Sequence, residues 1–250
     1  MNIERFEAVE RALFWKEKRV LVIGDLHFGY ENYLHERGWS FPKTQISESI
    51  EILGKIFQKT GKLAQVIILG DVKHYFGGIL NEEFSDVLQF FNLIKENLDK
   101  NGEIIIIKGN HDNILEPILK KQGLKEFVKL KQEYILEDIL FFHGHKRDFE
   151  RVKPLLKGKN IKISIIGHFH PAINLEEDAK KEKYKCYLYG KSKILKKELI
   201  IVPSFFPLLE GTNILAKDFM LEGWLDVSNF EVFIISDKVY DFGKVSKINK

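Results

Sequence analysis

Val20-Leu21-Val22-Ile23-Gly24-Asp25-Leu26-His27 runs four apolar residues into a glycine, a carboxylate and an imidazole. A short, continuous apolar run with such an ending predicts a strand buried on both faces, with the glycine marking where the chain leaves the sheet. The arrangement recurs downstream. Gln65 to Leu69 runs into Gly70-Asp71, and Glu103 to Ile107 is followed by Gly109-Asn110-His111-Asp112. Between these runs, Gln45 to Gln58 spaces Ile46, Ile50, Leu53 and Phe57 for an amphipathic helix, and Phe84, Leu88, Phe91 and Lys95 mark a second. Strand and helix in alternation predict parallel βαβ units with right-handed crossovers, whose ligands gather beyond the carboxyl ends of the strands. Upstream, Ala12 to Trp15 predicts a hairpin partner for Val20 to Ile23 across Lys16 to Lys18; the stretch around Gly38 and Pro42 reads as a loop.

The second half has a different rhythm. Val128 to Glu137 and Ile139 to Phe142 read as two short strands that end at His143-Gly144-His145, and Lys162 to Ile166 ends at Gly167-His168-Phe169-His170. Further strands are predicted at Lys185 to Tyr189, Glu198 to Val202 and Glu231 to Ile235, without helices between most of them. This predicts a second sheet packed on the first. No internal repeat and no linker rich in Ser or Pro separates the halves, so residues 1–250 read as a single domain.

Composition narrows the function classes. With 39 Lys and Arg against 36 Asp and Glu among 250 residues, the net charge of +3 excludes a histone-like polycation or an acidic tail. One cysteine, Cys186, rules out an intrachain disulfide and a thiolate zinc cluster, so any metal must sit on nitrogen and oxygen. The charged stretch Met1 to Arg11 has no apolar core of signal-peptide length, and the apolar runs are of strand length. The expectation is a cytoplasmic protein without a membrane segment.

Six histidines, His27, His111, His143, His145, His168 and His170, follow apolar runs, in company with Asp25, Asp71, Asn110 and Asp112. Imidazole and carboxylate without cysteine suit Mn2+, Fe or Zn2+. So many donors exceed what one ion with an open position needs, whereas two ions sharing a carboxylate would use them. Two cations can acidify a shared water and neutralise phosphate oxygens during in-line displacement, which is what phosphoester hydrolysis requires.

Asp25-Leu26-His27, Gly70-Asp71, Gly109-Asn110-His111-Asp112, His143-Gly144 and Gly167-His168-Phe169-His170 resemble the five ordered motifs of calcineurin-like metallophosphoesterases. The resemblance implies an α/β fold, a four-layer αββα sandwich of two mixed sheets flanked by helices. It implies Asp25, His27, Asp71 and His170 on one metal, and Asp71, Asn110, His143 and His168 on the other, with Asp71 as the bridge. A hydroxide between the metals would attack phosphorus, and His111 would protonate the leaving oxygen. The residue three after the bridging aspartate, His74, is similar to the histidine that SbcD-type DNA nucleases use to orient the catalytic one. Pro203-Ser204-Phe205-Phe206-Pro207, Gly211-Thr212 and the Asp25-to-Glu31 stretch resemble short SbcD-related enzymes typified by PdeM, a ligase-associated DNA nuclease. This implies a phosphodiesterase that cuts DNA, with Mn2+ ahead of Fe, Zn or Ni, and it allows a homodimer; a single-strand endonuclease is one form of it, with endo- or exonuclease action and strand preference left open. A small-substrate phosphoesterase and a scaffold without catalysis are the alternatives.

Lys180 to Lys197 interleaves eight lysines with Tyr184, Tyr187 and Tyr189, which suits either a phosphate-tracking surface or a solvated hairpin with acidic neighbours such as Glu176 and Glu182. His145 and Arg147 are candidates to meet a substrate phosphate, and Phe28 and Tyr30 to wall the mouth of the site.

Overall fold

Strands β1 (Asn2–Ile3), β2 (Phe6–Val9), β3 (Ala12–Trp15), β4 (Val20–Ile23), β5 (Leu63–Ile68), β6 (Leu98–Ile107) and β7 (Val128–Lys131) lie side by side in chain order in the computed structural model. It describes residues 2–39, 42–74, 81–112, 115–121, 124–158, 160–177, 180–216, 219 and 225–248. β1 to β4 pair antiparallel, and β4 to β7 pair parallel. The parallel steps cross over through α1 (Tyr30–Glu36) with α2 (Gln45–Thr60), then α3 (Asn81–Glu96), then α4 (Leu115–Lys121).

Alternation of side chains along a strand explains why these runs are apolar throughout. Leu21, Ile23, Ile104 and Ile106 pack on Leu53 and Ile56 of α2 and on Phe90 and Ile94 of α3. Their neighbours Val20, Val22, Ile105 and Ile107 point the other way, into a core shared with the second sheet. That sheet holds β8 (Glu133–Leu136), β9 (Ile139–Phe142), β10 (Ile163–Ile166), β11 (Pro171–Glu177), β12 (Lys180–Lys191), β13 (Glu198–Ile201), β14 (Thr212–Asn213), β15 (Glu231–Ile235) and β16 (Val239–Lys244). β9, β10 and β13 are parallel. Ile139, Phe141, Ile163, Ile165, Ile200 and Val202 supply its half of the shared core. On its outer face, α5 (Lys146–Gly158) buries Phe149 and Val152 against Phe142 and Ile166. The result is a helix, sheet, sheet, helix sandwich. Among the described residues no helix is long and apolar enough to cross a membrane.

The structure departs from the predicted elements in several places. The predicted strand Val128 to Glu137 breaks at Gln132, where Val128–Lys131 finishes the first sheet and Glu133–Leu136 begins the second. The Gln132 carbonyl accepts a 2.9 Å bond from the Arg151 guanidinium instead of a ladder partner. The loop predicted after Asp25 contains α1, and the connection between β9 and β10 contains α5, whose short apolar stripe and internal Pro154 hide it from periodicity. Finally, β12 does not offer a uniform basic surface. Its Lys185 and Tyr187 are buried, and the Tyr187 hydroxyl donates to the carbonyls of Glu10 and Ala12 across the shared core.

Candidate metal centre

The parallel strands of both sheets point their carboxyl ends at one edge, and the segments that follow are stitched together there. Asp25 N–H donates to the Gly70 carbonyl, His27 N–H to Asp71, and Gly167 N–H to His143. The sheets are joined by side chains. His168 N–H donates to the Asp25 carboxylate at 3.0 and 3.2 Å, and His143 Nδ1–H donates to the Leu69 carbonyl at 2.7 Å.

Turning five polar side chains into one small volume costs backbone strain. Asp25, His27, Asp71, His168 and His170 all have left-handed backbone, with φ of 54°, 47°, 49°, 67° and 46°. They make up half of the ten non-glycine residues of positive φ in the described chain, although such residues are uncommon in general. Strain of about 1–3 kcal/mol each collects where surroundings over-determine the geometry, which is typical of functional sites. Gly109 is required for a related reason: a Cβ there would fall on the Asp71 carboxylate and its backbone nitrogen.

Three groups of donors result, two of which include a carboxylate. Asp25, His27 and His170 bring ligand atoms within 4.8 Å of one another, and so do Asp71, His143 and His168. His27 Nε2 lies 3.2 Å from His170 Nε2, and His170 Nε2 lies 3.4 Å from Asp25 Oδ1. In the second group, His143 Nε2 is 3.0 Å from Asn110 Oδ1, 3.1 Å from His168 Nδ1 and 3.4 Å from Asp71 Oδ2. Donors about 2.1 Å from one cation stand about 3.0–3.4 Å apart along the edges of an octahedron or tetrahedron. These spacings fit that expectation, and Asp71 Oδ2, also 3.8 Å from His27 Nε2, lies between the two groups.

Electrostatics separates the histidines. Burial, with help from His170, pushes His27 down to about 3; burial and the adjacent His143 push His168 down to about 4. Both are neutral at physiological pH and can offer lone pairs. His143 goes the other way: burial lowers it, but the Asp71 carboxylate, the Asp25 charge and the Leu69 carbonyl together raise it. Burial alone would raise Asp25, but His170 and His143 hold it below the ordinary carboxylate range. A cation entering the second group therefore displaces a proton from His143. Metal affinity is expected to rise with pH through neutrality, by up to about tenfold per unit for each proton expelled. Calorimetry in buffers of different ionisation enthalpy reads this, and uptake without proton release would contradict it.

His111 sits beside the two groups. Its N–H donates to Asp71 Oδ1 at 3.0 Å, its ring Nδ1–H donates to the His74 carbonyl at 2.6 Å, and its Nε2 is 4.0 Å from Asp71 Oδ2. His74 lies beside His111, with the bond coming from its main chain while the two rings stack at 5.5 Å. Burial next to His111 pushes His74 down to about 4. His145 caps α5: its Nδ1 accepts the Arg147 N–H at 3.4 Å, and Asp148 accepts the N–H groups of Gly144 and His145, a reciprocal cap. Its ring meets that of His168 edge-on at 5.3 Å, while Arg147 is exposed. Phe28 is a core residue packed on Phe90, whereas Tyr30 is half-buried beside His74.

Sequence reasoning gave no role to the residues that brace these loops. Buried Asp112 accepts from the backbone N–H groups of Val72, Lys73 and Gly109, tying the loop after β5 to the one after β6. Burial, reinforced by Asp71, pushes its carboxyl up to about 6. Asp112→Ala would leave these donors unsatisfied, and a loss on the order of 3 kcal/mol in unfolding free energy is expected from chemical denaturation. Gln45 Nε2 donates to the carbonyls of Leu26 and His27, and Glu31 accepts from Thr44 and Gln45. Buried Lys185 donates to Ser204 Oγ and to the carbonyls of Ser204 and Phe206, in a loop whose Phe205 and Phe206 N–H groups bond Gly24 and Asp25. Asp112, Glu31 and Ser204 fall in the stretches that carry the resemblance, Lys185 in the lysine-rich one, and Gln45 only in an apolar helix pattern, none of which signals a bracing role.

The calcineurin-like phosphoesterase profile matches residues 18–235. No curated protein matches the sequence. A crystal structure of the Pseudomonas putida nuclease MPE superposes with a TM-score of 0.63 at 16% identity, covering 94% of this chain and 92% of that one. An archaeal phosphodiesterase (TM-score 0.42, 16% identity, 89% of this chain, 98% of that one) and Vps29 of Entamoeba histolytica (TM-score 0.35, 14% identity, 90% and 99%) align less well. At such identity the likeness to the first speaks for the fold, and the lower scores add nothing to it. A profile that spans both sheets and a donor set suited to divalent cations agree, and the chain belongs to the calcineurin-like phosphoesterases, metal-dependent hydrolases of phosphate esters.

Proposed function

We propose that residues 1–250 act as one cytoplasmic phosphodiesterase domain of the SbcD-related, PdeM-like kind, which uses two divalent cations, Mn2+ first, to cut single-stranded DNA. The carrying observation is Asp71 Oδ2, which stands between His27 and His143 at 3.8 and 3.4 Å with the His111 ring beside it. Asp25, His27, His170 and Asp71 would hold one cation; Asp71, Asn110, His143 and His168 the other. When bound, the pair acidifies a water and neutralises phosphate oxygens.

The chain's own groups do the rest. The His143 Nδ1–H bond to Leu69 fixes that imidazole so that Nε2 faces the centre, the kind of outer partner that sets ligand orientation. The His111 Nδ1–H bond to the His74 carbonyl likewise leaves Nε2 as the atom that carries a proton to the leaving oxygen. His145, whose ring meets that of His168, and the exposed Arg147 meet the substrate phosphate. The nuclease named among the structural neighbours supports nucleic acid as the substrate class.

Because any residue at 74 supplies a carbonyl, His74→Ala is expected to lower turnover by only about tenfold, less than loss of His111 itself. A loss as large as that of His111→Ala would make the His74 imidazole indispensable. The test of the reading is hydrolysis of circular single-stranded DNA by Mn2+-loaded protein with a His111→Ala control. Cleavage that disappears in the variant supports an endonuclease. Intact circles with hydrolysis of linear strands or cyclic nucleotides would overturn it in favour of an end-dependent or small-substrate enzyme.

A further inference from the structure

α1 is built inside out. Its buried residues are Glu31 and Asn32, with Glu31 bonded to the start of α2, while the Tyr30 and Tyr33 rings stay only partly buried. A helix that docks only to fill a core shows the reverse. Tyr30, Tyr33 and Arg37 follow at spacings of three and four, so they share one face. The inner end of that face is rooted in the metal centre. Tyr30 and Tyr33 meet the His74 ring edge-on at 4.7 and 5.1 Å, and the fully buried Phe206 backs Tyr30 at 5.2 Å. Moving outward, the Arg37 guanidinium lies 4.4 Å over the Tyr33 ring, and Trp39, anchored by its N–H to the Leu34 carbonyl, is 61% exposed.

We infer that the Tyr30, Tyr33, Arg37 and Trp39 stripe is a base-stacking subsite for the unpaired nucleotides that flank the scissile phosphate, an inference that rests on the DNA reading above. Seven helical residues span about 10 Å, the reach of about two nucleotides. Rings accept any base, and the guanidinium adds a cation beside the backbone without specifying sequence. Paired bases keep their faces inside the duplex, so the stripe selects single strands. It also orients them, because its inner end touches the histidine whose carbonyl holds His111.

The experiment compares binding of two eight-nucleotide single strands of equal charge, one of thymidines and one fully abasic, by fluorescence anisotropy on metal-loaded His111→Ala protein. The thymidine strand is expected to bind at least about tenfold more tightly. Adding Trp39→Ala or Tyr33→Ala should weaken it about fivefold or more while leaving the abasic strand unmoved, which shows the fold intact. Equal binding of the two strands by the parent, or an undiminished ratio in both variants, overturns the subsite. Hydrolysis of bis(p-nitrophenyl) phosphate by wild-type protein is measured alongside. Hydrolysis without base discrimination sinks the subsite alone, and no hydrolysis sinks the phosphodiesterase reading.

Discussion

Asp71→Asn is expected to lower bound metal from two ions to fewer than one per chain and to cost turnover at least about a thousandfold. Both carboxylate oxygens of Asp71 have separate duties. Oδ1 accepts the backbone N–H of His111 at 3.0 Å, and Oδ2 lies between His143 Nε2 and His27 Nε2 at 3.4 and 3.8 Å. An asparagine keeps one oxygen. If its NH2 faces the His111 N–H, two donors collide and His111 shifts. If it faces the centre, donor hydrogens take the place of the shared lone pairs. Neither rotamer restores the anion that, with Asp25, would offset two divalent charges. Metal analysis of protein prepared without chelator decides the point, and retention of two ions with activity would remove Asp71 from the bridge.

The same residue shows what a sequence can and cannot reveal. Asp71 is recognisable as a candidate because Val66 to Leu69 is continuously apolar, and a strand buried on both faces must end before a charge begins. His143 and His168 were recognisable likewise, from β9 and β10. What the pattern did not carry was how the two sheets meet. The handover at Gln132 lies within Lys131-Gln132-Glu133, three polar side chains that favour neither sheet, and it is set by Arg151 from a helix the sequence concealed. Support of the metal centre was equally silent. Gln45 and Lys185 bond backbone groups of distant segments, as Asp112 does those of Val72 and Lys73, and no spacing along the chain encodes those meetings. Lys185 is instructive because it sits in a lysine-rich stretch that invites a surface reading, yet strand alternation turns it inward onto Ser204 while Lys193 outside it pairs with Asp226.

His111→Ala should separate chemistry from metal binding. The main-chain N–H of residue 111 is what bonds Asp71 Oδ1, and alanine retains it, so both donor groups keep their shape and metal content is expected to stay unchanged. The imidazole itself lies beside Asp71 Oδ2 with Nδ1 committed to the His74 carbonyl, which leaves Nε2 to deliver a proton. That proton matters in proportion to the basicity of the departing oxygen. An alkoxide of a DNA sugar is a poor leaving group unless protonated, so turnover on DNA should fall by about a hundredfold or more. A p-nitrophenolate is a weak base that departs without help. On bis(p-nitrophenyl) phosphate the same variant should lose less than about tenfold. Steady-state turnover on the two substrates, with metal content measured on the same samples, distinguishes the roles open to this side chain. An equal loss on both substrates at full metal content would mean that His111 stabilises the phosphoryl group rather than the leaving oxygen. A parallel loss of metal would mean that the His27, His74 and His111 imidazoles, whose ring nitrogens also lie within 4.8 Å, form a ligand set of their own.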